Sequence, residues 1–322
     1  MTHSRLILIS GMSGSGKSTT AQRLAQQYQH NNIRHTWLHE EIADHPIREG
    51  EFEAGSLDTD EGMARNIADM YERWSRLADE IAASDSVYVM EGCLYQMIVR
   101  YFFACNYPEA RITEFYDRIM AIIAKLDPTV VFLYRSDVKA SFEQAFGVRG
   151  DRWKSLILDP DDPYFKAHPY TGEESIYAQY EHQQRLAGAM FDRYQGRKIK
   201  LSTSDGQWED HIRELAEFLG LRYAPPAEEA PLVSPEQYCG TYSADIDGRQ
   251  ARLTFKLVDG VLYCQVSWWA NMRLIPRGNH EFEAQSFPIG FRFRTDGPRR
   301  AVDVLGTYGW GISGKTLWRD GE

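Results

Sequence analysis

Cysteine is scarce. Cys93, Cys105, Cys239 and Cys264 are the only four in 322 residues. None stands in a C-x-x-C pair, which argues against a zinc site or a dithiol redox motif. Long apolar runs are also missing. No stretch approaches the ~20 residues that a membrane-spanning helix needs. The start, "MTHSRLILIS", has too short an apolar run for a signal peptide and reads as a strand. Positive charge is in deficit, with a net charge of −10. An acidic chain is a poor ligand for nucleic acid or an anionic membrane. No internal repeat is present. These absences fit a soluble chain of a reducing cytoplasm that folds on its apolar core, 43% of its residues being hydrophobic.

The residues that are present fall into two rhythms. Up to residue 222, short apolar runs alternate with helical patterns. "RLILIS", "RHTWL", "SVYVM", "TVVFLY" and "RKIKLS" read as five buried parallel strands. Met63, Ile67, Met70, Trp74, Leu77 and Ile81 recur at helical steps over 60–83. Residues 93–105, 109–125, 137–146, 174–194 and 207–219 also read as helices. The fold class is therefore α/β, a parallel sheet with helices on both faces. The stretch 223–235 lies in "YAPPAEEAPLVSPEQ", which carries four prolines and reads as a linker. Residues 236–322 change period. Asp247-Gly248 and Asp259-Gly260 mark hairpins of an antiparallel β-barrel or sandwich of about seven or eight strands. With "YCGTY" near its start and "DGVLY" after it, this part resembles small β-domains appended to some bacterial hydrolases, a resemblance that implies no chemistry.

The strongest local signal is "GMSGSGKST" at 11–19. Gly11, Gly16, Lys17 and Ser18 fit G-x-x-x-x-G-K-[ST], with Gly14 as a third glycine. Glycines let the backbone curl so that its N–H groups face phosphates. Ser13, Ser15 and Thr19 complete the loop and the first helical turn. Lys17 brings charge to the β- and γ-phosphates of ATP, and the Ser18 hydroxyl can ligate Mg²⁺. The following helix adds its positive end.

On this loop and the order of elements around it, residues 1–222 resemble the P-loop kinases of the nucleoside and nucleotide kinase-like group, which includes thymidylate and deoxynucleoside kinases. The resemblance implies roles for acids at strand ends. Glu91, at the tip of the third strand, would sit near Mg²⁺; alternatively it is a helix-start acid favoured by the dipole. Glu41 or Glu40, after the second strand, would take the proton of the attacking hydroxyl, with Asp44 a third contender and His45 a turn residue. "AFGVRGDRW" matches the place of an arginine-bearing lid. Arg149, and Arg152 behind it, would close on the γ-phosphoryl; Arg135 at a strand tip is a further candidate. Ion pairs with Asp137 or Asp151 are the plainer explanation of these arginines. After the last strand, "STSDGQW" would lie near the adenine edge, with Asp205 a candidate N-cap.

The segment 40–61 holds nine acids and one arginine, and a second acid-rich stretch spans 159–174. An acceptor bearing phosphate would call for arginines. Carboxylates suit a cationic one, an antibiotic, amino-sugar or basic peptide with a hydroxyl to phosphorylate, unless the segment is only a solvated loop. A nucleoside or nucleotide kinase is the second reading, and a nucleotide-dependent switch or ATPase acting through the β-domain the third. The expected partner is a small-molecule hydroxyl acceptor, with no nucleic acid or membrane; a homodimer is compatible with this. Trp268, Trp269 and Trp310 would fill the β-domain core or bind a ligand.

Overall fold

The computed structural model describes residues 4–42, 44–48, 59–95, 102–103, 105–158, 161, 163–266, 269–296, 299–306 and 311–321. The chain divides into two units. One is Met1–Glu40, Asp44–Phe142 and Ile157–Pro225; the other is Glu41–Ala43, Glu143–Leu156 and Pro226–Glu322.

The first unit is built on a five-stranded parallel sheet. Its strands are β1 (Leu6–Gly11), β2 (His35–Leu38), β3 (Val87–Glu91), β4 (Thr129–Tyr134) and β5 (Lys198–Ser202). Their order is β2-β3-β1-β4-β5. All six residues of β1 are buried, as expected of a central strand covered on both faces. The chain leaves β1 toward one edge and later crosses to the other, so a switch in strand order falls beside β1. Ligands bind in open α/β sheets at such a switch, beyond the carboxyl ends of the strands.

Helices α1 (Lys17–His30), α2 (Asp60–Ala83) and α3 (Glu109–Ile123) precede α4 (Val138–Arg149), α5 (Asp151–Ile157), α6 (Pro163–Ala167), α7 (Glu173–Arg193) and α8 (Trp208–Leu219). Ile7 and Ile9 pack with Leu24 and Tyr28 of α1 and Leu215 and Leu219 of α8 on one side of the sheet. On α2 five of the six apolar positions read from the sequence are buried, Met63, Met70, Trp74, Leu77 and Ile81, while Ile67 is half-buried. Thr59 caps that helix by accepting from Gly62 N–H. Tyr71 of α2 stacks on Phe115 of α3 at 5.3 Å. The short helices α5 and α6 were not anticipated, since neither is long enough to show a period. Among the described residues no helix is long and apolar enough to cross a membrane.

The second unit contains a closed barrel of eight antiparallel strands, β6 (Gly240–Ile246), β7 (Arg249–Val258), β8 (Val261–Val266), β9 (Trp269–Gly278), β10 (Glu281–Ala284), β11 (Ile289–Arg294), β12 (Ala301–Gly306) and β13 (Thr316–Arg319). β13 returns to β6, where Trp318 pairs with Ser243. The hairpin turns read from the sequence have left-handed φ at both residues, +53° and +78° at Asp247-Gly248 and +50° and +78° at Asp259-Gly260. That is the mirror-image turn whose twist suits a tight hairpin. Tyr242, Phe255, Phe282, Phe291 and Phe293 share the interior with Leu253, Val302 and Leu317. Phe255 meets Phe291 and Phe293 edge-on at 5.3 and 4.8 Å. The interior is therefore filled by side chains. The outer face carries cross-strand ion pairs such as Arg294–Asp303 and Arg292–Glu281. Trp269 is buried in the barrel core; Trp268 and Trp310 lie outside the described residues.

Candidate active site

The loop between β1 and α1 curls because its glycines accept conformations that other residues resist. Gly14 and Gly16 have φ of +80° and +86°. A Cβ on Gly16 would overlap the Trp208 ring at the start of α8, so that position is closed to side chains by space as well as by φ. The loop is held from below. Ser15 N–H donates to Met12 O at 3.2 Å, and Thr203, just past β5, donates its hydroxyl to Ser15 O at 3.0 Å. Arg135, just past β4, donates from Nη1 to Gly14 O at 3.3 Å, and Gln184 clamps the Arg135 backbone with bonds of 3.1 and 2.9 Å. The tips of three strands thus meet at the loop.

Lys17 is buried and donates from Nζ to Met12 O at 3.0 Å. Ser18, one residue on, donates to Glu91 Oε1 at 3.1 Å. Glu91 is fully buried at the end of β3. Its Oε1 also receives Glu40 N–H at 3.4 Å and lies 3.4 Å from His39 Nε2. Its Oε2 is buried without a hydrogen-bond partner among the described residues. Burial, aided by the Glu40 charge and opposed by Lys17, pushes the Glu91 carboxyl up to about 8. Glu40 lies against the backbone just beyond: a Cβ on Gly92, where φ is +73°, would overlap the Glu40 carboxylate. Arg48 donates to the Glu40 carbonyl.

These groups suit magnesium. Mg²⁺ takes one or two protein oxygens and fills its remaining positions with phosphate and water. Ser18 Oγ and Glu91 supply two such oxygens, and Oε2, which has no hydrogen-bond partner among the described residues, could take a metal in place of the proton that burial favours. Among the described residues no group of three or more acidic, histidine or cysteine side chains could form an all-protein cage.

Behind the acids lies a buried relay. Ile47 N–H donates to His45 Nδ1 at 3.1 Å, so Nε2 carries the proton and faces Cys93 Sγ at 3.2 Å; the thiol then donates to Glu91 O at 3.2 Å. His45 is thus a buried linker between the loop after β2 and the tip of β3, more than the turn residue expected. Burial first, then Arg48 and His39, lower its pKa to about 4. A neutral folded histidine stabilises above the ordinary value of 6.5, and that contribution is lost as pH falls toward 4. The loss should total roughly 3 kcal/mol. His45→Asn keeps an acceptor for Ile47 N–H but does not titrate. Urea unfolding at pH 7 and pH 5 should therefore show a flatter pH dependence for the variant than for the wild type.

The remaining expected residues fall as follows. Glu41 belongs to the second unit and accepts from Trp269 Nε1 at 3.4 Å. Arg149 and Arg152 belong to that unit too. Arg149 lies over the Trp153 and Trp269 rings, and Arg152 is exposed on α5. Asp44 has a left-handed φ of +52°. Of the acids in 40–61, Asp60 and Glu61 occupy the first turn of α2, where the helix dipole favours them, and those in 49–58 lie outside the described residues. In the second acid-rich stretch Glu173 and Glu174 likewise open α7, and Asp161 pairs with Lys166. Asp205 accepts from Gln207 N–H at 3.0 Å just before α8. Sequence reasoning missed Thr203, Trp208 and Gln184. Thr203 directly follows β5 and Trp208 opens the next helix, both within the stretch after the last strand to which the strand-end rule already pointed.

A five-stranded parallel sheet with this loop on its central strand is P-loop NTPase-like in architecture, and a closed β-barrel follows it in the chain. Residues 7–130 match the family described as AAA domain. Among solved structures the chain is similar to the thymidylate kinase of Candida albicans at 13% identity, with 69% of this chain and 96% of that one covered and a TM-score of 0.37. It is also similar to the YorR protein of Bacillus subtilis, solved with phosphorylated GDP, at 15% identity, 66% and 95% coverage and a TM-score of 0.34. A third likeness is to the tRNA isopentenylpyrophosphate transferase of Bacillus halodurans, at 12% identity, 67% and 96% coverage and a TM-score of 0.32. No curated protein matches the chain.

Proposed function

We propose that the protein is an ATP-dependent phosphotransferase that moves the γ-phosphoryl of Mg-ATP to a hydroxyl of a small, amine-bearing cationic molecule. The observation that carries this is the buried Glu91 carboxyl, bonded to Ser18 and flanked by Lys17 and Glu40 at the mouth of the phosphate loop. A loop that only sensed nucleotide would not need a second carboxylate placed where an attacking alcohol arrives.

The loop amides and Lys17 bind the β- and γ-phosphates, Lys17 exchanging Met12 O for phosphate oxygen. Ser18 and Glu91 would hold Mg²⁺, which when bound offsets the phosphate charge. Arg135, already on the loop, meets charge that spreads over the γ-phosphoryl. Glu40 is the carboxylate best placed to accept the acceptor's proton, with Glu41 and Asp44 as its alternatives. As the O–H proton passes to that carboxylate, the acceptor oxygen bonds to phosphorus and the bond to the β-phosphate oxygen breaks, leaving ADP. Arg149 and Arg152 remain the lid candidates. Arg149 would first have to leave the two indoles it rests on.

One observation favours a phosphate-bearing acceptor, the second reading. Arg48 and Arg73 both reach the loop after β2, donating to Glu40 O and Ile47 O. Transfer from γ-labelled ATP should be assayed across amine-bearing alcohols, nucleosides and nucleoside monophosphates. Preference for an aminated alcohol is the expected result. Preference for a monophosphate would move the assignment to the second reading. ATP hydrolysis indifferent to every acceptor would remove both.

A further inference from the structure

Within the second unit two indole rings flank a cation, and a carboxylate is bonded to one of them. Trp269 opens β9, is buried, and is pinned edge-on against Phe287 at 4.6 Å. Trp153 on α5 is buried against Phe146 at 5.8 Å. The Arg149 guanidinium carbon lies 4.4 Å from the centroid of each indole. Glu41 adds a carboxylate by accepting from Trp269 Nε1 at 3.4 Å. Two electron-rich faces with a carboxylate alongside attract an organic cation and offer little to a neutral or anionic group.

We propose that Trp153, Trp269 and Glu41 form a binding site for an organic ammonium or guanidinium group, and that Arg149 fills it in this structure where a ligand's cation would go. The two rings are carried by β9 and α5, and each packs on a phenyl ring besides the guanidinium, Trp269 on Phe287 and Trp153 on Phe146. The guanidinium, by contrast, hangs from a flexible side chain at the last residue of α4. Asn271 docks that helix end by donating to Gly147 O at 2.8 Å, so the arginine does not hold it in place alone. Gly150 follows at φ +84°, a point where the chain turns into α5. The arginine can leave the rings by side-chain rotation without disturbing them. The site lies within the second unit and does not depend on the function proposed above.

The test uses the full chain and agmatine, which carries an amine and a guanidinium but no hydroxyl, so binding is read apart from transfer. Butylurea is its uncharged planar counterpart. Calorimetric titration of Arg149→Ala should give agmatine affinity about tenfold above the wild type, because a tethered competitor has been removed. Butylurea should show no such gain. Adding Trp269→Leu to Arg149→Ala should abolish the gain. If that variant fails to fold, Glu41→Gln in the same background should lower agmatine affinity about fivefold through loss of the charge beside the rings. Equal affinity of wild type and Arg149→Ala would overturn the proposal. So would a gain that survives both Trp269→Leu and Glu41→Gln.

Discussion

Lys17→Ala should lower phosphoryl transfer by about a thousandfold or more, the scale at which removing a charge that meets the transferring group is felt. The effect should fall on transfer and leave folding nearly unchanged. In the absence of nucleotide the Lys17 ammonium donates to Met12 O, a loop carbonyl. Losing one such bond changes stability by about 1 kcal/mol. Single-turnover transfer and a thermal melt, run side by side, separate the two. A variant that transferred normally would place the triphosphate somewhere other than this loop.

Glu91→Gln should move activity and stability in opposite directions. Transfer should drop about a hundredfold or more as a charged oxygen beside the metal position is lost. The nucleotide-free protein should become more stable at pH 7. Burial holds the Glu91 carboxyl up near 8, against an ordinary value of 4.5. Between those values the unfolded chain is ionised while the folded one keeps its proton, so folding loses stability as pH rises from 4.5 toward 8. Glutamine escapes that loss. The variant should be the more stable of the two at pH 7, and the difference should vanish near pH 4. Urea unfolding at both pH values measures it. A buried carboxyl kept at such a cost fits a group retained for chemistry.

The parts of the molecule legible in the sequence are those written in a short span. The phosphate loop is a local pattern. The strands of the sheet show as apolar runs, and α2 shows its face through Trp74 and its neighbours because a long helix repeats its period several times. The two hairpin turns are fixed by the Asp-Gly pairs alone. The barrel's closure is another matter. It depends on β13 finding β6, a pairing of residues far apart in the chain that no local signal encodes.

The site divides the same way. Ser18 and Glu91 could be named in advance because each has a fixed place, one in the motif and one at a strand tip. Their bond at 3.1 Å required the order β3-β1, which puts those two tips side by side. Arg135 and Thr203 reach the loop for a similar reason, since β4 and β5 follow β1 across the sheet. The His45–Cys93 contact joins a turn to a strand end 48 positions away. Glu40 and Glu41 were interchangeable as letters. Only the folded chain turns one toward Gly92 and gives the other to the Trp269 indole.

A crystal structure with magnesium and a non-hydrolysable ATP analogue is the most direct test. The account predicts the triphosphate on residues 11–19, Lys17 moved from Met12 O to phosphate oxygen, and the metal held through Ser18 and Glu91. An analogue bound in another cleft while the loop stayed empty would contradict it, as would a metal coordinated without either of those side chains.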